Sequence, residues 1–445
     1  MELIITKDNQ LSINLREILG DEKYEVHLPN LRKLSEHPIK EIKLEEHPNL
    51  LIFPQDFKTY GDEIGKEKIF EIDGDCMVTG NIMGFVGYNG TQVSIRSRFA
   101  KDDGNDYFLH YMLQKVLCLN VFNLDFQSDS ESIFDFLIYL FPGFLKEAMR
   151  QGTYREYQVR RYNDANIRGR IDIARHIRQN NPFTGNVAYS TREYVADNHV
   201  TQLIRHTIEY IKQHPIGGNI LNSDEETREA VGIINACTPT YNRMGRQRVI
   251  SQNLRPLSHP YYYAYRDLQR LCMRILRHEE MKYGADDNQI HGILFDGAWL
   301  WEEYLNTFIK NMGFTHPRNK TGEGRKLMFV DPKAVPVFPD FYLDGKVVLD
   351  AKYKRHETLF GNSQREDRFQ VLAYMHIFNV DKGGLIVPVP IGSERSTKGN
   401  IAGRGGEMYL IGMAVDKKAE DYKKYCDYMA SEEDSVVEQI KILLT

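Results

Sequence analysis

The chain has 445 residues, with 57 Lys and Arg against 62 Asp and Glu for a formal net charge of −5. Its length predicts two to three domains of ordinary globular composition, and no stretch nears the about twenty apolar residues of a membrane helix. Mild acidity argues against a free-standing DNA-wrapping protein, and the five cysteines (Cys76, Cys118, Cys237, Cys272, Cys426) lack the C-x-x-C spacing of a zinc or iron–sulfur site or a disulfide framework. The start, Met-Glu-Leu-Ile-Ile-Thr-Lys, has no basic region before a signal-length apolar run, which predicts a cytoplasmic protein.

Residues 1–104 read as a β-rich module. Short β-prone runs occur at Leu3–Thr6, Leu11–Asn14, Phe70–Ile72, Met77–Thr79, Ile82–Tyr88 and Gln92–Arg96. Asn89-Gly90 between the last two is a strong hairpin turn signal. A small barrel that reads DNA or docks on a partner fits this pattern, and the sequence does not choose between those roles.

Residues 105–284 read as a mixed, mainly helical domain. Helices are predicted over Tyr107–Leu117, Ser132–Gln151 and Asp197–His214, the last with Val200, Leu203, Ile204, Thr207, Ile208 and Ile211 at helical spacing. Residues 153–195 look extended and arginine-rich, with eight arginines between Arg150 and Arg178 against Glu156, Asp164 and Asp172. Such a local excess suits DNA backbone or an acidic or nucleotide-bearing partner surface; a solvated basic face is the plainer alternative. Residues 238–260 read as a polar loop or projecting arm.

Residues 285–445 read as an α/β domain. A core-facing helix is predicted over 293–312, with Trp301, Leu305, Phe308, Ile309 and Met312 on one side and Glu302 at its flank. Next, Val335 to Tyr353 predicts two strands around a turn. Val348, Asp350 and Lys352 share one face of the second strand. A two-residue turn at Asp344-Gly345 would put Asp340 and Asp350 on opposite faces. A three-residue loop of Leu343, Asp344 and Gly345, with Gly345 left-handed, pairs Asp340 with Val348 and sets it diagonal to Asp350. Two carboxylates on one face repel unless neutralised, and their oxygens with retained water suit Mg²⁺ or Mn²⁺. Lys352, aimed at the same spot, would orient or help deprotonate a water and offset charge on a phosphate. A solvated Asp/Asp/Lys face is the plain alternative, but the apolar Val347, Val348, Leu349 and Ala351 predict a buried strand, where an unpaired Asp is costly. Downstream, Arg365–Phe378 predicts a helix with Gln370 and Tyr374 on one face, and Lys382–Val389 and Met408–Met413 supply further strands. Gly322–Lys326 and Gly403–Gly406 do not form a P-loop, so no nucleotide is expected to bind this chain.

In order, Leu300-Trp301-Glu302, Pro339-Asp340, Asp350-Ala351-Lys352 and Gln370-x-x-x-Tyr374 resemble the PD-(D/E)xK nuclease pattern. More narrowly, the Asp-Ala-Lys-Tyr at 350–353 is similar to McrC, the nuclease subunit of McrBC-type modification-dependent restriction systems. Gly152–Tyr157, Ile167–Ile173 and Glu193–Asn198 resemble that family's middle region, so the likeness spans about residues 105–445. The first hundred residues depart from the family's compact members. The resemblance implies an α+β multidomain chain: a β-rich N-terminal module, a partner-binding middle domain with an arm, and a C-terminal restriction-endonuclease-like domain. It implies Mg²⁺ or Mn²⁺ on Asp340, Asp350 and the Ala351 carbonyl, water assistance by Lys352, a second metal or ordered water at Glu302, and steadying by Gln370 and Tyr374. It further implies DNA as substrate and an McrB-like AAA+ GTPase ring as partner. Arg160, Arg161, Arg168, Arg170, Arg175 and Arg255 are the candidate DNA or partner contacts. A RecB-like repair nuclease acting without a GTPase, and a non-catalytic activator of an AAA+ ring, are the competing readings.

Overall fold

The computed structural model describes all residues except 1, 43–46, 48–49, 55–66, 102–105, 118–129, 215–216, 223, 282–289, 318–323, 355–358, 362–364, 404, 420 and 445. Cys118 and residues 322–323 of the Gly322–Lys326 loop lie outside the described residues. Two compact units divide the chain, one made of residues 1–130 and 286–445 and the other of residues 131–285.

The first unit holds two five-stranded sheets. One has the order Glu2–Lys7, Thr91–Arg96, Ile82–Tyr88, His291–Asp296, Leu50–Phe53. The expected strands of the first hundred residues form, and Asn89 and Gly90 both take positive φ (47° and 77°), the twist a two-residue hairpin requires. Periodicity missed the helix Asp21–Leu34, which buries Tyr24, Leu31 and Leu34. It also missed that residues 291–296, expected within a helix over 293–312, form a strand that crosses into this N-terminal sheet. Its pattern Gly-Ile-Leu-Phe is four consecutive buried residues, and a short apolar run of that kind does not distinguish strand from buried helix. The helix begins only at Gly297, where the Asp296 side chain accepts from the Ala298 and Trp299 amides, and it runs to Ile309. Module and third region therefore share a sheet, which a barrel closed on residues 1–104 would not allow.

The second sheet has the order Phe341–Leu343, Val347–Ala351, Lys382–Pro390, Glu407–Val415, Ser396–Asn400, parallel through its middle three strands. Val347, Val348 and Leu349 are fully buried, as the apolar run predicts for a strand covered on both sides. Each such side chain contributes roughly 1.5–3 kcal/mol. The helix Arg365–Phe378 forms over its expected span and packs Val371, Tyr374, Met375 and Phe378 in one cluster with Val348 and Tyr342.

The second unit carries the helices Ser130–Arg150, His199–Gln213, Glu225–Cys237 and Tyr263–Met281 and a three-stranded antiparallel sheet. Helix His199–Gln213 starts on a reciprocal cap: Asn198 accepts from the Val200 and Thr201 amides while the Thr201 hydroxyl accepts from the Asn198 amide. Its apolar face, from Val200 to Ile211, is fully buried as the spacing predicts. Residues 238–260 are not a projecting loop. Arg246–Gln252 is helical and tucks Val249 and Ile250 into the unit, because these two apolar residues give an otherwise polar segment one face to bury. Arginine-rich residues 156–195 form strands Glu156–Asp164, Val187–Val195 and Arg170–Ile171 with a short helix, Ile173–Gln179. Tyr157, Val159, Ile173, Ile177 and Phe183 lie exposed there. Among the described residues no helix is long and apolar enough to cross a membrane.

Candidate active site

The hairpin that carries both aspartates closes one residue later than the alternation predicts. Leu343 pairs with Val347 and Phe341 with Leu349. The loop is Asp344, Gly345 and Lys346, closed by the Lys346 amide donating to the Leu343 carbonyl at 3.0 Å. The expected odd loop and left-handed Gly345 (φ +69°) are both present. The expected pairing of Asp340 with Val348 is not: continuing the register sets Asp340 opposite Asp350. A slip of two residues leaves every side chain on its original face, so the period cannot choose between the registers. Cross-strand packing does, placing Tyr342 opposite Val348 and against Phe378, with ring centroids 4.8 Å apart.

Asp350 is 1 % exposed and sits in the sheet interior. Its Oδ2 lies 2.8 Å from Lys352 Nζ. That ion pair is the polar partner of this oxygen, which among the described residues meets no other hydrogen-bond donor in good geometry. Asp340 Oδ2 accepts from the Ala351 amide at 2.6 Å. A strand residue points its N–H and C=O to the same edge, so the Ala351 carbonyl leaves the strand on the Asp340 side. Burial, and then the Asp350 charge, push the Asp340 carboxyl well above the usual carboxylate range. Burial raises Asp350 too, against the pull of Lys352, and the two carboxyl groups are near enough to share a proton. Glu302, half-buried on its helix, is raised by burial and then by the charges of Asp340, Asp296 and Asp350. Burial alone would lower Lys352, but Asp350 and Asp340 outweigh it and hold the ammonium protonated. The site thus sets two buried carboxyl groups against one lysine.

Gln370 and Tyr374 meet each other and then the backbone ahead of Asp340. Gln370 Nε2 donates to the Tyr374 hydroxyl at 3.0 Å, and that hydroxyl donates to the Phe338 carbonyl at 3.5 Å. Two further residues lie here without a motif to flag them. His316 Nδ1 lies 2.6 Å from the Asp340 carbonyl, and its ring stacks on Phe341 at 5.0 Å. Asp367, buried on the first turn of the Arg365–Phe378 helix, takes the Lys354 ammonium at 3.1 Å and adds negative charge at Asp350. Asp367 was findable, being three and seven residues before Gln370 and Tyr374 on one helix face. A lone histidine carries no such signal.

Among the described residues no three His, Cys, Asp or Glu side chains form a ready-made metal cage. What is present is two opposed carboxyl groups, a carbonyl aimed to their side and one ion-paired lysine. This hard-oxygen set fits a cation that keeps several waters, as Mg²⁺ does.

The arginines singled out from the sequence belong to the other unit. Arg161, Arg168, Arg170 and Arg255 are exposed, and Arg160 is half-buried with Nε 3.9 Å from Glu193. Arg175 directs its guanidinium inward, donating to the Tyr162 and Tyr189 carbonyls at 2.9 and 2.6 Å.

A family model described as "McrBC 5-methylcytosine restriction system component" matches residues 77–388. No curated protein matches the chain. Among solved structures, a chain of the half-complex from the tetradecameric assembly of Thermococcus gammatolerans McrB AAA+ hexamers with bound McrC is similar in fold. It has TM-score 0.51 and 16% identity, covering 97% of this chain and 100% of that one. A chain of the Thermococcus gammatolerans McrBC complex matches at TM-score 0.34 and 16% identity, over 69% of this chain and 87% of that one.

Proposed function

The chain belongs to the family of McrBC 5-methylcytosine restriction system components, as an McrC-like member, and from that premise we propose that it is the DNA-cleaving subunit of such a system, hydrolysing phosphodiesters with a divalent metal. The observation that carries the reading is the opposition of Asp340 and Asp350 in a buried sheet beside Lys352, with more acid than base. Carboxylates crowded this way cost stability and are kept where they do chemistry.

Asp340, Asp350 and the Ala351 carbonyl would hold the metal, and Glu302 would hold a second ion or order water. When bound, the ion polarises a phosphoryl oxygen and lowers the pKa of water. Lys352, kept protonated by its neighbours, orients the attacking water and stabilises charge growing on the phosphate; it is a poor base in this setting. Gln370 and Tyr374 hold the Phe338–Asp340 backbone, and His316 braces the Asp340 carbonyl from behind. The partner in this reading is an AAA+ GTPase ring, as in the Thermococcus gammatolerans assembly of McrB hexamers with bound McrC. The exposed arginine-rich sheet of the other unit supplies the contact surface, for the ring or for DNA.

Lys352→Ala in the assembled complex should lower DNA cleavage by on the order of 10²–10³-fold or more while leaving ring binding and GTP hydrolysis intact. Undiminished cutting by this variant would overturn the assignment.

A further inference from the structure

Tyr353, the residue after Lys352, does not stay with its own sheet. Its ring, 3 % exposed, is held by parts of the N-terminal sheet and its edges. The Arg98 guanidinium lies 4.6 Å from the ring centroid, and Arg98 Nη1 donates to the Tyr353 carbonyl at 3.2 Å. Phe99 packs edge-on at 5.9 Å, and the Tyr353 hydroxyl reaches Met83 Sδ at 3.4 Å. Gly297 is close enough that a Cβ there would sit 2.9 Å from the ring. Arg98 itself is fastened. Its Nε and Nη2 donate to Asp8 at 2.8 and 2.5 Å, Nη2 also donates to Asn81 at 2.8 Å, and its carbonyl accepts from Lys417 at 3.1 Å.

The same sheet carries the other half of the site. Strand His291–Asp296 lies between Ile82–Tyr88 and Leu50–Phe53 and runs without a break into the helix bearing Glu302. The Glu302 helix thus leaves the N-terminal sheet at Gly297, the Lys352 strand of the second sheet reaches it at Tyr353, and Gly297 lies against the Tyr353 ring.

We infer that the N-terminal sheet is the rear wall of the hydrolytic site: Arg98 and Tyr353 are positioning residues that set the Lys352 strand against the Glu302 helix. This rests on the nuclease reading above. On the far side the Lys352 amide donates to the Ile386 carbonyl at 2.9 Å, so the backbone at Lys352 is gripped from two directions and its ammonium has little freedom relative to Asp350. Side chains that fix a reacting group without touching substrate change turnover, by about 10–100-fold at metal sites, rather than substrate affinity.

The test uses the full chain with its ring partner and a long methylated duplex as substrate. Tyr353→Leu should lower kcat at least about tenfold with KM unchanged, whereas Tyr353→Phe, which keeps the ring against Arg98, stays within about twofold of wild type. Lys417→Met, milder and at the edge of the cluster, should lower kcat less than Tyr353→Leu, again at fixed KM, and stands in if Tyr353→Leu does not fold. The inference is overturned if a folded Tyr353→Leu, or Lys417→Met in its place, cuts at the wild-type rate, or if the loss lies in KM alone. Lys352→Ala run alongside separates the two failures: a wild-type rate there sinks the nuclease reading, while loss there with full activity in the Tyr353 and Lys417 variants sinks only the positioning role.

Discussion

Two buried acid clusters lie in the same unit and solve the cost of burial in opposite ways. Around Asp8, one acid meets one base: the Asp8 carboxylate takes the Arg98 backbone amide, Nε and Nη2, and the guanidinium's remaining contacts go to Asn81 and the Tyr353 carbonyl. Around Asp350, two opposed carboxyl groups share one lysine, and burial raises both of them. Both have been moved out of water, at a cost of several kcal/mol per ion. The first is closed by its own hydrogen bonds, while the second keeps more acid than its one lysine offsets. A closed pair marks structure, and an open cluster with excess charge of one sign marks chemistry.

Four variants would break or sharpen this contrast. Arg98→Met should destabilise the chain by about 3–5 kcal/mol, because it strands Asp8 in the interior, and adding Asp8→Leu should recover much of the loss. Urea midpoints decide it, and an indifferent Arg98→Met would mean the pair is not closed. Asp340→Asn, in the open cluster, should do the reverse: in the absence of divalent ions it gains roughly 0.5–2 kcal/mol by relieving carboxyl crowding, while cleavage is lost. A drop in stability there would place Asp340 with the structural pairs.

The third test is pH. Burial raises Asp8 to about 6 even beside Arg98, so its contribution is full below the unfolded value near 3.8 and is lost as pH rises through about 6. Burial lowers His110 and His206 to about 4, so their contributions are present above about 6.5 and lost as pH falls toward 4. Asp8 therefore offsets part of the acid loss from the histidines, each unit of pKa difference being about 1.4 kcal/mol. Asp8→Asn should show a steeper fall in stability between pH 6.5 and 4.5 than wild type, by denaturant titration at each pH; an equal slope would mean that Asp8 does not titrate in this window. The smallest effect is expected of Gly345→Ala. Its φ of +69° costs a side chain about 1 kcal/mol, and the melting temperature should drop slightly with cleavage kept, since the loop lies at the end of the hairpin away from Asp340.

Much of this was readable along the chain. Strand and helix periods located the helix over residues 365–378, the capped helix after Asn198 and the hairpin at Asn89-Gly90, because each depends on residues within a few positions of one another. The shared face of Asp350 and Lys352 was legible for the same reason: alternation puts the two charges on one face whatever surrounds them. The boundary of the Glu302 helix was less legible, since a buried apolar run suits a strand or a helix equally until its neighbours are known.

By itself, then, the sequence determined the local elements, the odd loop at Gly345 and the shared face of the acids and the lysine. Only the tertiary structure decided that Asp340 stands opposite Asp350, that strand His291–Asp296 joins the sheet of the first hundred residues, and that Arg98 grips Tyr353. A register slip of two is invisible to a period of two, and a contact across 255 positions leaves no trace in any local spacing. Such choices are made by which surfaces pack together, and they complete the site.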